Sequence, residues 1–444
     1  MNTAHLTQKA KEVLTKNDLG GWTRPTEGLY PHQWLWDSCF IAIGKRHIDV
    51  ERAKEEVRAL FKGQWRSGML PHVIFSEANG YHAGPTLWQS RVSAHAPKNV
   101  DTTGISQPPM VAEAVVRIGE MLSPKERLAW YKEIHPELVH YHEWLYRERD
   151  PHDEGLVVLV HPWESGLDNT PPWMELLHKY AVSTRVWLMK NLKMERFVKR
   201  FRRDTALVPA EERISTIDLY AVYDLLKRLR DHHYNDSVIM RKQKLLIVDA
   251  VFNSILIRAN DHLAHIADEL GQQLPKVITQ AMKKAPKALE TLWDEETGQY
   301  YSRDFVSGEL IKVSSIATFM PLYAMKLPKA RVKKLLEHLH NPETFGADYP
   351  IPSTPLDSSY FKPHCYWQGP TWINMNWLIR DGLRRNGEAV EAEKLRQKTL
   401  ELVEKGGMSE YFSPLTGKAA GAPAFSWTAA LTIDLLADEA KPKK

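Results

Sequence analysis

Two loops of this chain offer carboxyl groups in surroundings suited to acid–base chemistry. The first is His161-Pro162-Trp163-Glu164-Ser165-Gly166-Leu167-Asp168-Asn169-Thr170-Pro171-Pro172-Trp173. Its Asp-Asn-Thr-Pro-Pro run cannot continue a helix, because proline lacks an N–H and pushes its predecessor out of the α region. Asp168 is therefore offered from a stiff turn between indoles, where burial raises a carboxyl pKa. The plainer reading is a turn aspartate that bonds its own backbone. The second loop, Gly406 to Gly417, sets Glu410 among glycines and aromatics instead of on a charged helix face. Hydrolysis of a glycosidic bond needs such a pair, one carboxyl protonated and one ionised.

Three further stretches carry hydrogen-bonding and aromatic groups at helix entrances. Tyr30-Pro31-His32-Gln33-Trp34-Leu35-Trp36-Asp37 reads equally as a helix capped by Asp37 or as a sugar-binding floor. In the second reading indoles stack on the sugar ring and a carboxylate accepts from two hydroxyls. Trp65 to His72, with Ser106-Gln107-Pro108-Pro109, and His364 to Trp377, with its Gly369-Pro370 turn, are the others. No pair among His32, Cys39, His364 and Cys365 has zinc-ligand spacing, so no metal is expected. No cofactor is expected either, since no nucleotide, metalloprotease or serine-hydrolase motif is present.

The elements that must hold these loops are mostly helical. Apolar residues recur at three- and four-residue spacing over about 4–16, 37–46, 50–61, 111–122, 125–148, 174–200, 214–230, 251–270, 274–291, 314–325, 328–340, 371–384, 387–405 and 425–437. Strand-like runs are few: Gly155 to His161 and Gln299 to Phe305. No long Gly/Ser or Pro-rich linker interrupts the series, so residues 1–444 are expected to form one all-α domain. Helices alternating with loops suit either a closed toroid of helical hairpins or an α-solenoid. The Trp, His, Tyr and Asp clusters in the loops, and the lack of a fixed-period repeat, favour the toroid.

A net charge of +4 over 444 residues gives no sign of a general nucleic-acid binder. The basic run from Arg185 to Arg203 reads as a solvated helix face, with Trp187, Phe197 and Phe201 on its buried side. Two cysteines, no apolar leader and no run of eighteen apolar residues fit a cytoplasmic protein without a membrane span.

Taken in order, the motifs Tyr30–Asp37, Gln64–His72, Gly104–Pro109, Trp163–Asn169, Tyr366–Trp372 and Ser409–Gly417 resemble glycoside hydrolase family 63. The likeness is to its small bacterial-type mannosylglycerate and glucosylglycerate hydrolases, and it runs from near residue 30 to Trp427. The resemblance implies an (α/α)6 barrel with minor β-hairpin elements and an inverting mechanism. It casts Asp168 as general acid and Glu410 as the base that activates water. It puts Tyr30, Trp34, Leu35, Trp36, Asp37, Tyr81, Gln107, Gly166, Tyr366 and Trp367 on the sugar pocket. Arg213 is the nearest match for an arginine that holds a glycerate carboxylate, with Arg202 and Arg203 as alternatives. Physics adds two conditions: the acid must be buried, with Trp163 and Trp173 as candidate walls, and the base must stay ionised and partly hydrated. The expected partner is a small carbohydrate; a homo-oligomer, the choice of glucose or mannose, and the leaving group stay open. Another toroid hydrolase such as a trehalase, a polysaccharide lyase and a sugar-binding protein without catalysis are the alternatives.

Overall fold

The computed structural model describes residues 2–77, 83–180, 202 and 204–438. In chain order its helices begin with α1 (Thr3–Asn17), α2 (Leu35–Lys45), α3 (Val50–Phe61), α4 (Val111–Gly119) and α5 (Pro124–Arg149). They continue with α6 (Pro171–Tyr180), α7 (Thr216–Asp231), α8 (Ala250–Glu269), α9 (Lys276–Glu290) and α10 (Met320–Ala324). The last are α11 (Lys329–His340), α12 (Ile373–Arg385), α13 (Ala389–Gly406) and α14 (Ser426–Ala437).

Two kinds of helix alternate along the chain. In α2 every residue from Leu35 to Lys45 is buried, and α14 is buried from Ser426 to Leu435. Helices apolar all round belong inside a protein, whereas a single apolar stripe marks an outer layer. In α11 only Val332, Leu335 and Leu339 are buried, the spacing of one helix face. The inner helices close a ring: α2 packs on α4, α4 on α8, α8 on α10, α10 on α12, α12 on α14, and α14 back on α2. The chain is therefore an (α/α)6 toroid. Short antiparallel ribbons decorate it: β1 (Gln33–Trp34) with β2 (Val73–Ile74), β3 (Ile247–Val248) with β6 (Arg303–Asp304), β4 (Trp293–Asp294) with β5 (Gln299–Tyr300), and β7 (Tyr411–Phe412) with β8 (Ala419–Ala420).

Some expectations shift. Gly155 to His161 is not a strand: Leu159 makes one isolated bridge to Ile247, because neighbouring helices bury this apolar run instead of a sheet. The Asp-Asn-Thr-Pro-Pro run ends one element and opens another. Pro171 and Pro172 occupy the first turn of α6, where missing N–H groups cost nothing. The helix expected to reach residue 200 is described as far as Tyr180. The rest of it, and the basic run apart from Arg202, lie outside the described residues. Among the described residues no helix is long and apolar enough to cross a membrane.

Candidate active site

The aromatic loops converge on the end of the ring where the inner helices begin. Trp34 and Asp37 straddle the start of α2, Gln107 precedes α4, Tyr366 and Trp367 precede α12, and Glu410 and Phe425 precede α14. Asp168 comes from the segment between α5 and α6. Together with Tyr30, Trp36, His72, Trp163, Gly166, Asp204, Arg213 and Trp427 they line one cavity, with about 780 Å³ of atom-free space, open mouth included.

Both carboxyl groups are tied into one chain of hydroxyls. The Tyr30 hydroxyl donates to Glu410 Oε1 (2.9 Å) and lies 3.4 Å from the Tyr366 hydroxyl, which donates to Asp168 Oδ2 (3.2 Å). Arg213 Nη1 donates to the Tyr30 hydroxyl at 2.9 Å, and its guanidinium lies 4.4 Å over the Tyr366 ring. The three hydroxyl links hold the two linked carboxyl oxygens no more than roughly 9.5 Å apart.

Local structure explains how each group is held. Asp168 follows a 3-10 turn, Pro162–Ser165, that ends on Gly166 at φ +74°. A Cβ on Gly166 would come within 2.6 Å of the Trp36 ring, so only glycine lets this turn lie against the indole. Asn169 then stitches the turn to the next loop: its side chain accepts from Trp367 N–H (2.9 Å) and its carbonyl accepts from Gln368 Nε2 (3.1 Å). Tyr366 pays for its position with φ +45°, a left-handed conformation costing about 1–3 kcal/mol for a non-glycine residue. Glu410 stands just before β7, and the Ala422 N–H donates to its Oε2 at 2.8 Å.

The electrostatics differ between the two carboxyls. Burial pushes Asp168 up to about 7, opposed by Arg213 and the Tyr366 hydroxyl and reinforced by Glu410. Asp168 is ringed by protein, yet half-buried because it opens into the cavity. Burial also raises Glu410, but Arg213, the Ala422 N–H and the Tyr30 hydroxyl all favour its ionised form. Asp37 is pushed well above the usual carboxyl range by burial and by the two nearby carboxyls.

Most of the residues expected at the site are brought together, with four adjustments. Asp37 is not the helix cap; Trp34 holds that position and Asp37 stands in the first turn, lining the cavity. Leu35 does not line the cavity, being packed in the core at 1% exposure. Trp163 is a wall of the site but Trp173 is not, since the helical turn at Pro171 directs it into the core; Trp36 and Trp367 supply the other aromatic walls. Glu410 is 1% exposed instead of partly hydrated, with protein donors taking the place of solvent. Arg213 reaches the cavity, whereas Arg202 bonds Asp204, the Ile214 carbonyl and Thr216. Tyr81 and Arg203 lie outside the described residues. Sequence reasoning missed His72, Asp204 and Trp427 as lining residues, although His72 and Trp427 stood in or beside the quoted motifs. Glu164, the other carboxylate of the first loop, is fully buried and saturated by Arg149 (2.9 and 3.0 Å), Val160 N–H and Ser106 N–H. Among the described residues no cluster of His, Cys, Asp and Glu could hold a metal ion.

Comparison with known proteins agrees with this architecture. The profile of the mannosylglycerate hydrolase MGH1-like glycoside hydrolase domain matches residues 30–428. The mannosylglycerate hydrolase of Thermus thermophilus is 41% identical over 430 residues, 96% of this chain and 99% of that protein. The glucosylglycerate hydrolase of Mycolicibacterium hassiacum is 33% identical, covering 97% of each chain. A crystal structure of the GH63 mannosylglycerate hydrolase of Thermus thermophilus, in complex with Tris and D-glycerate, superposes with a TM-score of 0.87 at 39% identity, over 97% of this chain and 99% of the other. A neutral trehalase from Saccharomyces cerevisiae, 15% identical over 94% of this chain and 73% of the other with a TM-score of 0.54, shares the fold. The chain is a glycoside hydrolase and belongs to the MGH1-like mannosylglycerate hydrolase family within GH63.

Proposed function

We propose that this enzyme hydrolyses the α-glycosidic bond of mannosylglycerate or glucosylglycerate with inversion at the anomeric carbon. Asp168 is the general acid and Glu410 the general base. Asp168 gives its proton to the glycosidic oxygen as the bond to the anomeric carbon breaks. Glu410 takes a proton from the water that attacks the opposite face, so glycerate leaves with its hydroxyl restored and no covalent intermediate forms. The observation that carries this reading is the division between the two carboxyls. Asp168, at about 7, holds a proton near neutral pH, while Glu410 is bonded by two donors with Arg213 at 3.9 Å.

Asp37, Gln107, Trp36 and Trp367 suit a sugar with several hydroxyls and an apolar face. Arg213 is the proposed holder of the glycerate carboxylate: it is charged and lines the cavity, with Nη1 donating to Tyr30 and Nε 3.6 Å from Asp204 Oδ2. The family match over 30–428 supports one catalytic domain spanning residues 1–444. A panel of α-mannosides and α-glucosides with and without glycerate tests the reading. Both glycerates, or one of them, should turn over far faster than the corresponding methyl glycosides. Equal rates on methyl glycosides would remove glycerate from the proposal.

A further inference from the structure

A third carboxylate stands behind Glu410. Glu212 closes a 3-10 turn, Ala210–Glu212, directly before Arg213. Its Oε2 accepts from the Gly421 N–H at 2.8 Å, and its carbonyl accepts from the Tyr411 hydroxyl at 2.8 Å. Gly421 and Ala422 are the residues that follow β8, and the Ala422 N–H is the donor on Glu410 Oε2. The Ala422 carbonyl in turn accepts from Glu410 N–H at 2.9 Å. Glu212 therefore grips the turn that grips Glu410, and its neighbour Arg213 stands with Nη1 3.9 Å from the carboxylate's other oxygen, Oε1.

The turn has little slack. Gly421 has φ +70°, and a Cβ there would lie 2.6 Å from Glu410 Oε2 and 2.5 Å from the Tyr411 ring. The backbone can approach Glu410 this closely only because that side chain is absent. An approach so tight, with a single donor from the turn on Oε2, depends on whatever holds Gly421 in place. Among the described residues, the side chain that bonds the Gly421 N–H is that of Glu212.

We propose that Glu212 is a positioning residue for Glu410, one that acts through the Gly421–Ala422 turn and never touches substrate. By fixing the Ala422 N–H on Oε2 it leaves Oε1 turned to Tyr30 and the cavity, where a water molecule would be activated. This rests on the reading of Glu410 as the base. It also carries an electrostatic consequence, since the Glu212 charge opposes ionisation of Glu410. The other charged or titratable groups facing Glu410 are Arg213, Tyr30, Tyr366, Tyr411, Asp37 and Asp168. Arg213 favours the ionised base, and the two aspartyl groups oppose it when charged. None of them is substituted when only Glu212 is changed.

Two substitutions separate the mechanical and electrostatic parts. Glu212→Ala removes the acceptor and should lower kcat by about 10–100-fold with KM within about threefold, as expected when a base is misplaced without loss of substrate contacts. Glu212→Gln keeps an oxygen for the Gly421 N–H and should recover most of that loss. With the repulsive charge gone, its acid limb of kcat against pH should move to lower pH. An Ala variant with wild-type kcat, or one that changes KM alone, overturns the proposal. So does a Gln variant whose acid limb stays put or moves up, and this second readout stands even where the Ala variant does not fold. Glu410→Gln run alongside separates the two readings: if it is inactive while Glu212 variants behave as wild type, the base assignment survives and the positioning role falls.

Discussion

Two buried glutamates of this molecule each have a tyrosine hydroxyl and an arginine beside them, yet their pKa values are driven in opposite directions. Glu113, on inner helix α4, accepts from the Tyr323 hydroxyl (2.6 Å), His262 Nε2 (2.7 Å) and Arg117 Nε (2.8 Å). Burial alone would raise its pKa, but His262 and Arg117 in direct contact outweigh it and hold Glu113 well below the usual range. Glu410 also has a tyrosine hydroxyl and an arginine, yet its Arg213 stands 3.9 Å away and donates to Tyr30 instead. There burial wins, and Glu410 is raised. The lesson is one of distance. A cation in contact makes a carboxylate a structural anchor, whereas a cation held off behind a tyrosine leaves it able to take a proton.

The largest expected effects test that division from the side of the cavity. Asp168→Asn and Glu410→Gln should each lower kcat by roughly a hundredfold or more, the order of a lost general acid or base. Single-turnover assays on purified, folded variants would show it; full activity in both would end the comparison. From the anchored side, Glu113→Gln should leave kcat near wild type while lowering stability by about 3–5 kcal/mol, because it breaks a buried charge cluster. Denaturant unfolding measures the loss. The Glu113 contribution is present above the unfolded pKa and is lost as pH falls through the depressed folded value, so the stability gap between wild type and variant should narrow in acid.

Asp168 should show the reverse linkage. Its folded pKa lies above the unfolded value, so the stability associated with its proton is lost as pH rises towards about 7. Asp168→Asn should therefore melt higher than wild type at pH 8, by roughly 1–3 °C, at the expense of activity. The smallest effect concerns Tyr366→Phe. The Tyr366 hydroxyl lowers the Asp168 pKa, so its removal should move the alkaline limb of kcat to higher pH. A limb that moves down would show that the hydroxyl does not act on the acid.

Much of this architecture can be read from the chain alone, for reasons that vary by element. The three- and four-residue apolar spacing at 37–46 and 425–437 predicts helices, and α2 and α14 stand there, buried along nearly their whole length. Glu410 stood out because a glutamate between glycines and aromatics has no helix face to solvate it. What sequence could not convey is pairing at long range. Tyr30 and Tyr366 are 336 residues apart, yet their hydroxyls lie 3.4 Å from each other. Nor could spacing tell Trp173 from Trp36 as a wall, because the choice depends on which way α6 leaves its two prolines. Glu212 was hidden for a plainer reason: in Ala210-Glu211-Glu212-Arg213 it looks like any surface acid.

The central claim is that Asp168 and Glu410 act on opposite faces of the sugar with water between them. The most direct test is proton NMR of the first product released from α-mannosylglycerate or α-glucosylglycerate, recorded before mutarotation. Inversion predicts that the β-anomer of the free sugar appears first and then equilibrates. Initial release of the α-anomer would contradict the account.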